Sequence, residues 1–256
     1  MNIYYIIVFF IFGLFFGSFF NVVGLRLPKA ESIIKPRSHC SKCNRTLKWY
    51  ELIPVVSYII QLGKCRGCKT KLSIKYPLFE LLTGVCYALC YVVFGLTLDI
   101  IIPLTLVSSL IIVIVSDAEY MVIPDEVILI TSILIVTETF FIKGLEAFGL
   151  SLLNGVLAFV GMYLIKIIGD FIFKKESLGG GDIKLMFMIG LVFSFKTMIL
   201  ILFLSSFMAL PYSIAVLLMK KDPIVPYGPF ISLTAITLLF LKLTEFSLID
   251  LVEFIV

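Results

Sequence analysis

Apolar runs long enough to cross a membrane follow one another along almost the whole chain, and this constrains the fold more than any single residue does. A helix needs about 20 mostly apolar residues to span the hydrocarbon core of a bilayer. By that rule the sequence breaks into about eight spans, at roughly 3–23, 77–98, 100–117, 125–142, 148–173, 183–195, 197–219 and 229–245, with a short amphipathic tail beyond. Short polar turns at 118–124, 143–146, 174–182 and 220–228 separate later spans, and one long hydrophilic segment, 24–76, separates the first two. Composition agrees: 61% of the 256 residues are hydrophobic and 15% are charged, where soluble proteins carry about 45–50% and about 25%. The expected fold is an all-α polytopic membrane protein. It comprises a first transmembrane helix (1–23), a small cytoplasmic module (24–76) and a helical bundle (77–256), with no convincing internal repeat.

Charge sets the expected orientation. Twelve of the 21 Lys and Arg residues lie between Arg26 and Lys75, where the only acids are Glu31 and Glu51. Positive charge beside apolar spans marks the cytoplasmic side. With the N-terminus outside, segments 24–76, 118–124, 174–182 and 220–228 all face the cytoplasm, and only Lys143, Lys196 and Lys242 fall outside. The N-terminal run lacks the basic region and small-residue cleavage site of a signal peptide, so it reads as a permanent span. A basic segment can also bind nucleic acid, but juxtamembrane charge needs no such partner; the expected partners are acidic lipid headgroups.

The hydrophilic segment carries two Cys-x-x-Cys pairs, Cys40/Cys43 and Cys65/Cys68, with 21 residues between them. Two such turns brought together make a tetrahedral four-sulfur site that suits zinc. A segment with no long apolar run would draw on the order of 10 kcal/mol of folding energy from the metal. The alternatives are disulfides, disfavoured in a reducing cytoplasm, and redox-active pairs. His39 is a further ligand candidate, although four thiolates already fill the site. Cys86 and Cys90, in the second span, read as small buried apolar residues.

Acids inside or at the ends of spans are costly and call for a reason. Asp117 ends the third span, and Asp182, after Gly179-Gly180-Gly181, begins the sixth. The topology puts both at the cytoplasmic edge. Two carboxyls a few ångströms apart share a proton and can hold a water between them for peptide hydrolysis. Glycines beside them let the backbone approach an extended substrate closely. The bland alternative is a flexible turn with Asp182 as helix N-cap. Asp125, after Pro124, competes as first acid but fits an N-cap too. Asp170 is expected to pair with Lys166 one helical turn away, and Glu80 and Glu138 to make structural polar contacts.

Several segments taken together resemble one family. They are Gly17-Ser18-Phe19-Phe20-Asn21-Val22-Val23 with Arg26-Leu27-Pro28, then Arg37-Ser38-His39-Cys40 and the second cysteine pair. Tyr76-Pro77 through Glu80-Leu81-Leu82 and Asp117-Ala118-Glu119 through Ile123-Pro124-Asp125 follow, with Gly179-Gly180-Gly181-Asp182-Ile183-Lys184 and Pro226-Tyr227-Gly228-Pro229 completing the set. This combination is similar to the type IV prepilin leader peptidases, membrane aspartyl proteases of the GxGD type. Phe20 stands where members often carry Leu. The resemblance implies a catalytic pair of Asp117 and Asp182, supported by Gly179, Gly181 and Asp125. It implies cleavage after a glycine, just before the apolar helix of a prepilin-like substrate, at the cytoplasmic face of a bacterial cell membrane. It further implies N-methylation of the new terminus with S-adenosylmethionine. No Rossmann-type glycine fingerprint marks that cofactor's site, and Gly63 and Lys64 are the weak candidates for it. Pili, DNA uptake and secretion all use such substrates.

Two other classes compete. An ion-coupled transporter would place its acids near mid-membrane, and these lie at the edge. A non-enzymatic zinc-bearing assembly protein of a pilus or secretion machine would tolerate loss of both aspartates without loss of leader removal.

Overall fold

The computed structural model describes residues 2–219 and 225–242. Residues 220–224 of the turn expected at 220–228, and everything beyond 242, including the tail, lie outside the described residues. Nine α-helices occur among them: α1 (Ile3–Arg26), α2 (Val56–Ile60), α3 (Lys75–Phe94), α4 (Ile101–Tyr120), α5 (Asp125–Lys143), α6 (Leu145–Phe173), α7 (Gly180–Gly190), α8 (Phe195–Leu218) and α9 (Gly228–Phe240). All but the five-residue α2 fall on the eight apolar runs, and the described residues form no strand. Helices α1, α3, α4, α6 and α8 are long and apolar enough to cross a membrane. Helix α5 has 19 residues and carries Asp125, Glu126, Glu138 and Lys143. Helices α7 and α9, with 11 and 13 residues, rise only about 17 and 20 Å.

The chain divides into two compact units, Met1–Thr97 and Leu98–Val256. In the first, α1 starts at Asn2, whose side chain caps the Tyr4 N–H. It ends where Pro28 turns the chain through a short 3-10 segment. It packs on α3 through glycine. A Cβ on Gly13 would lie 2.7 Å from the Gly84 Cα and from the Thr83 carbonyl; one on Gly17 would lie 2.8 Å from the Thr83 hydroxyl. Small residues bring helix backbones together where lipid offers no hydrophobic drive. The segment between these helices carries the cysteines and α2.

The second unit is built on α4, whose Leu106, Val107, Leu110, Ile111 and Val113 are wholly buried. It packs on α5 and α9. The short α7 touches α5, α6, α8 and α9, so its brevity is that of an interior helix. Its approach to α6 is again set by a glycine: a Cβ on Gly190 would lie 2.8 Å from the Ala158 Cβ. Helix α6 leaves most of its apolar surface uncovered, with Phe171 84% exposed, as a lipid-facing helix does and a water-facing one does not.

Two local expectations are refined. Helix α7 runs from Gly180 to Gly190, so Gly180 and Gly181 belong to its first turn and are not part of a loop; Gly179 is its N-cap. Asp182 is therefore the third helical residue and not the cap. Asp125 likewise is the first residue of α5, after Pro124 as N-cap.

Candidate active site and metal centre

Each cysteine pair sits in a turn of the same design. The Cys40 N–H donates to the Arg45 carbonyl, and the Asn44 N–H returns to the Cys40 carbonyl; the Cys65 N–H donates to Thr70, and the Lys69 N–H to Cys65. Asn44 and Lys69 hold matching left-handed conformations (φ 54° and 59°), and single bridges, His39 with Thr46 and Lys64 with Lys71, close the two turns. This is a short repeat, offset by 25 residues, that spacing alone does not reveal. All four sulfurs lie within 4.8 Å of one another, and the cysteines are free thiols. Cys40 and Cys68 Sγ are 3.7 Å apart, close to the ~3.8 Å edge of a tetrahedron with ~2.3 Å metal–sulfur bonds. His39 instead contacts the Arg37 carbonyl through Nδ1.

The surroundings favour thiolate at Cys65 and Cys68. Thr70, 3.3 Å from Cys68 Sγ, brings that thiol down to about 6, and the Cys68 and Gly67 N–H groups lower Cys65. Cys43, despite the Arg45 N–H and with burial and three thiols against it, is pushed up to about 11. Four thiols so close cannot all ionise without a cation among them. The module is braced by an ion pair, half-buried Arg45 to the buried Glu51 at 2.6 Å. The Lys48 N–H also donates to Glu51, at 2.9 Å.

In the second unit, Asp117 occupies the last turn of α4 and is 5% exposed. Its Oδ2 accepts the Gly228 N–H at 3.0 Å. Gly228 is held there by its neighbour: the Tyr227 hydroxyl meets Ser205 Oγ at 2.7 Å and Ser206 Oγ at 3.0 Å on α8. After Asp117 the chain leaves α4 through left-handed Met121, whose N–H bonds the Asp117 carbonyl. The Ser116 hydroxyl donates to Val122. This turn delivers Ile123 between two glycines: a Cβ on Gly181 would lie 3.1 Å from the Ile123 Cβ, and one on Gly228 3.2 Å from its Cδ1. Ile123 thus links the three segments that carry Asp117, Asp182 and Gly228. The Asp182 carboxyl lies in electrostatic range of Asp117 and within reach of the Gly179 backbone N–H, and a Cβ on Gly179 would sit 3.1 Å from Asp182 Oδ2.

Asp125 has a partner that spacing did not suggest. Lys184 Nζ donates to both its oxygens, at 2.8 and 2.7 Å, tying the start of α5 to the first turns of α7. Asp170 accepts from the Ser177 N–H and hydroxyl, capping the loop after α6, and Lys166 contributes its carbonyl to the same serine as well as a smaller charge interaction with Asp170. Glu80 accepts the Val55 N–H and Glu138 the Thr105 hydroxyl. Cys86 and Cys90 are buried in α3. Gly63 has φ +65°, and a Cβ on it would meet the Tyr58 hydroxyl at 2.9 Å.

The comparisons with known proteins follow the same division. The model for the bacterial peptidase A24 N-terminal domain matches residues 11–94, and that for the type IV leader peptidase family matches residues 104–214. The prepilin leader peptidase/N-methyltransferase of Bacillus subtilis is 37% identical over 87% of this chain and 89% of its own. The chain belongs to the type IV leader peptidase family. A Myxococcus xanthus prepilin leader peptidase/N-methyltransferase is 34% identical over 82% of this chain, which spans 62% of the Myxococcus protein. The type 4 prepilin-like proteins leader peptide-processing enzyme of Escherichia coli is 30% identical, over 90% of this chain and 91% of its own. No solved structure matches. Within this chain, the A24 N-terminal match contains all four cluster cysteines, and the peptidase match contains Asp117, Asp125 and Asp182.

Proposed function

We propose that the chain is a multi-pass aspartyl endopeptidase of the bacterial cytoplasmic membrane that removes the leader from type IV prepilin-like proteins after a glycine. Asp117 and Asp182 are the catalytic pair. The observation that carries this reading is a buried Asp117, fixed by the Gly228 N–H, with a second carboxyl in electrostatic range on a different helix. Two carboxyls that close on one water share one proton. The ionised member takes a proton from a bound water, the water oxygen attacks the scissile carbonyl, and the protonated member donates to the carbonyl oxygen as it becomes negative. The two act as one titrating unit, so neither role is assigned to one residue. Asp125, Gly179 and Gly181 support this arrangement, Asp125 through its bond to Lys184.

The N-terminus lies outside and the active site at the cytoplasmic face, in accord with the distribution of basic residues. A prepilin-like precursor keeps its leader in the cytoplasm and its apolar helix in the bilayer, so its scissile bond meets the aspartates at the interface. The basic 24–76 segment contacts acidic lipid headgroups. Cys40, Cys43, Cys65 and Cys68 hold one structural zinc, which cross-links the two turns and takes no part in hydrolysis. The new N-terminus is then N-methylated, with S-adenosylmethionine supplying the methyl group. Co-expression with a prepilin, followed by mass spectrometry of its mature N-terminus, tests cleavage position and methylation together. Cleavage at any position other than after glycine would refute the assignment.

A further inference from the structure

The first unit holds a half-open pocket of about 280 Å³ between α1, α3 and the cysteine segment. Its charged lining is mostly committed. Arg26 donates to the Ser32 and Pro36 carbonyls at 2.9 and 2.8 Å, and Glu51 is occupied by Arg45 and the Lys48 N–H. Among the other polar groups of the lining, Asn21 and Glu80 are buried acceptors. Asn21, 4% exposed, donates through Nδ2 to the Tyr76 carbonyl at 3.1 Å, while its Oδ1 is buried with no hydrogen-bond partner. Glu80, 9% exposed, accepts the Val55 N–H at 2.8 Å and a hydrogen bond from the Ser18 hydroxyl. An unpartnered buried acceptor is costly and calls for an explanation.

The Glu80 contact is made under strain. Val55 has φ 60° and ψ −51°, and the Val56 N–H closes onto the Pro54 carbonyl. That is a γ-turn of the rare kind, centred on a β-branched residue for which positive φ is an outlier. Strain of this sort persists where the surroundings over-determine it, and it clusters at ligand sites. Here it aims an N–H at one carboxylate oxygen and fixes how the group stands in the cavity.

We propose that Asn21 Oδ1 and the Glu80 carboxylate form a binding site for a primary ammonium group, the chemistry that a newly cut N-terminus and the amino-acid end of S-adenosylmethionine share. An ammonium offers three donors and no acceptor, which suits a buried carboxylate beside a buried amide oxygen. The pocket receives the ammonium-bearing end of its ligand. Tyr58 lines the cavity, and a Cβ on Gly63 would lie 2.9 Å from its hydroxyl. A side chain at Gly63 therefore disturbs this wall at a distance. The proposal rests on the N-methylation reading and adds where the amine is held.

The test uses the full-length protein in detergent and isothermal titration. The ligands are S-adenosylmethionine, its analogue lacking the α-amino group, a peptide with the free mature N-terminus, and the same peptide N-acetylated. Removal of the amine from one of the two should weaken binding to the wild type at least tenfold, and Glu80→Gln and Asn21→Ala should weaken the amine form of that same ligand as much. Cleavage should stay within twofold of wild type. An effect on the peptide assigns the site to the substrate; an effect on the cofactor assigns it to the methyl donor. Wild-type protein that binds amine and amine-free forms of both ligands equally overturns the proposal even where a variant fails to fold, and so do folded variants that bind both amines as wild type does. Wild-type product without a methyl group removes the N-methylation reading, and the ammonium site then stands or falls on the binding comparison alone.

Discussion

Replacing Gly228 by alanine should slow cleavage with little effect on the fold. The glycine is at the first turn of α9, and its added Cβ would stand 2.8 Å from Asp117 Oδ2, 3.3 Å from its Cγ and 3.2 Å from Ile123 Cδ1. The first distance is roughly 0.6 Å inside ordinary contact. Helix α9 is buried along most of its length, so the carboxylate is the group that moves. Its movement stretches the 3.0 Å bond from the Gly228 N–H, a bond to a charged acceptor worth about 1.5–3 kcal/mol. Misplacement of a catalytic group by about 1 Å costs on the order of 100-fold. The expected loss is about 10- to 100-fold in kcat/KM, with a thermal midpoint near that of wild type. Gly181→Ala, 3.1 Å from the Ile123 Cβ, should lose less. Gly180→Ala meets nothing within 4 Å and should cleave within twofold of wild type. The assay is initial-rate cleavage of a prepilin fragment by the purified variants, with thermal unfolding in parallel. A Gly228→Ala enzyme at the wild-type rate, or a Gly180→Ala enzyme slower than Gly228→Ala, would refute the reasoning.

Cys40→Ser or Cys68→Ser should drop metal content from about one zinc per chain to near none, by elemental analysis, and make the 24–76 segment protease-sensitive while peptide cleavage persists. Lys184→Met and Asp125→Asn should each cost no more than about 1 kcal/mol, because the pair is exposed, and the charge-reversed double variant should recover most of that loss in thermal unfolding. Arg45→Met should destabilise the first unit by leaving the buried Glu51 carboxylate without its charged partner; limited proteolysis would report it. Arg45 holds the Glu51 carboxyl below its ordinary range. That contribution to stability is therefore present above a pH of about 4.3 and is lost as pH falls through the lower, folded value. Arg45→Met should remove this acid-limb dependence.

Helix existence was legible because lipid makes hydropathy an almost direct readout: all eight apolar runs became helices. Helix ends were less so. Of the glycines written as a loop at 179–181, Gly180 and Gly181 entered α7, since a first turn asks nothing of its N–H groups from within the helix. The two aspartates were legible as acids at span ends, and the four sulfurs from spacing. What escaped were contacts made by groups that carry no signal. The Gly228 N–H on Asp117 is backbone, Ile123 is one apolar residue among many, and the Asp125–Lys184 pair joins residues 59 apart in sequence. Asn21 looked like part of an N-terminal signature; only its burial exposes the unpartnered oxygen.

The central claim is that two acids, each supplied by a different helix, jointly activate one water. It is tested most directly by the initial cleavage rates of Asp117→Asn and Asp182→Asn, purified, zinc-loaded and unfolding at the wild-type temperature. Both should fall to the uncatalysed background. A rate above about one hundredth of wild type in either variant would contradict it.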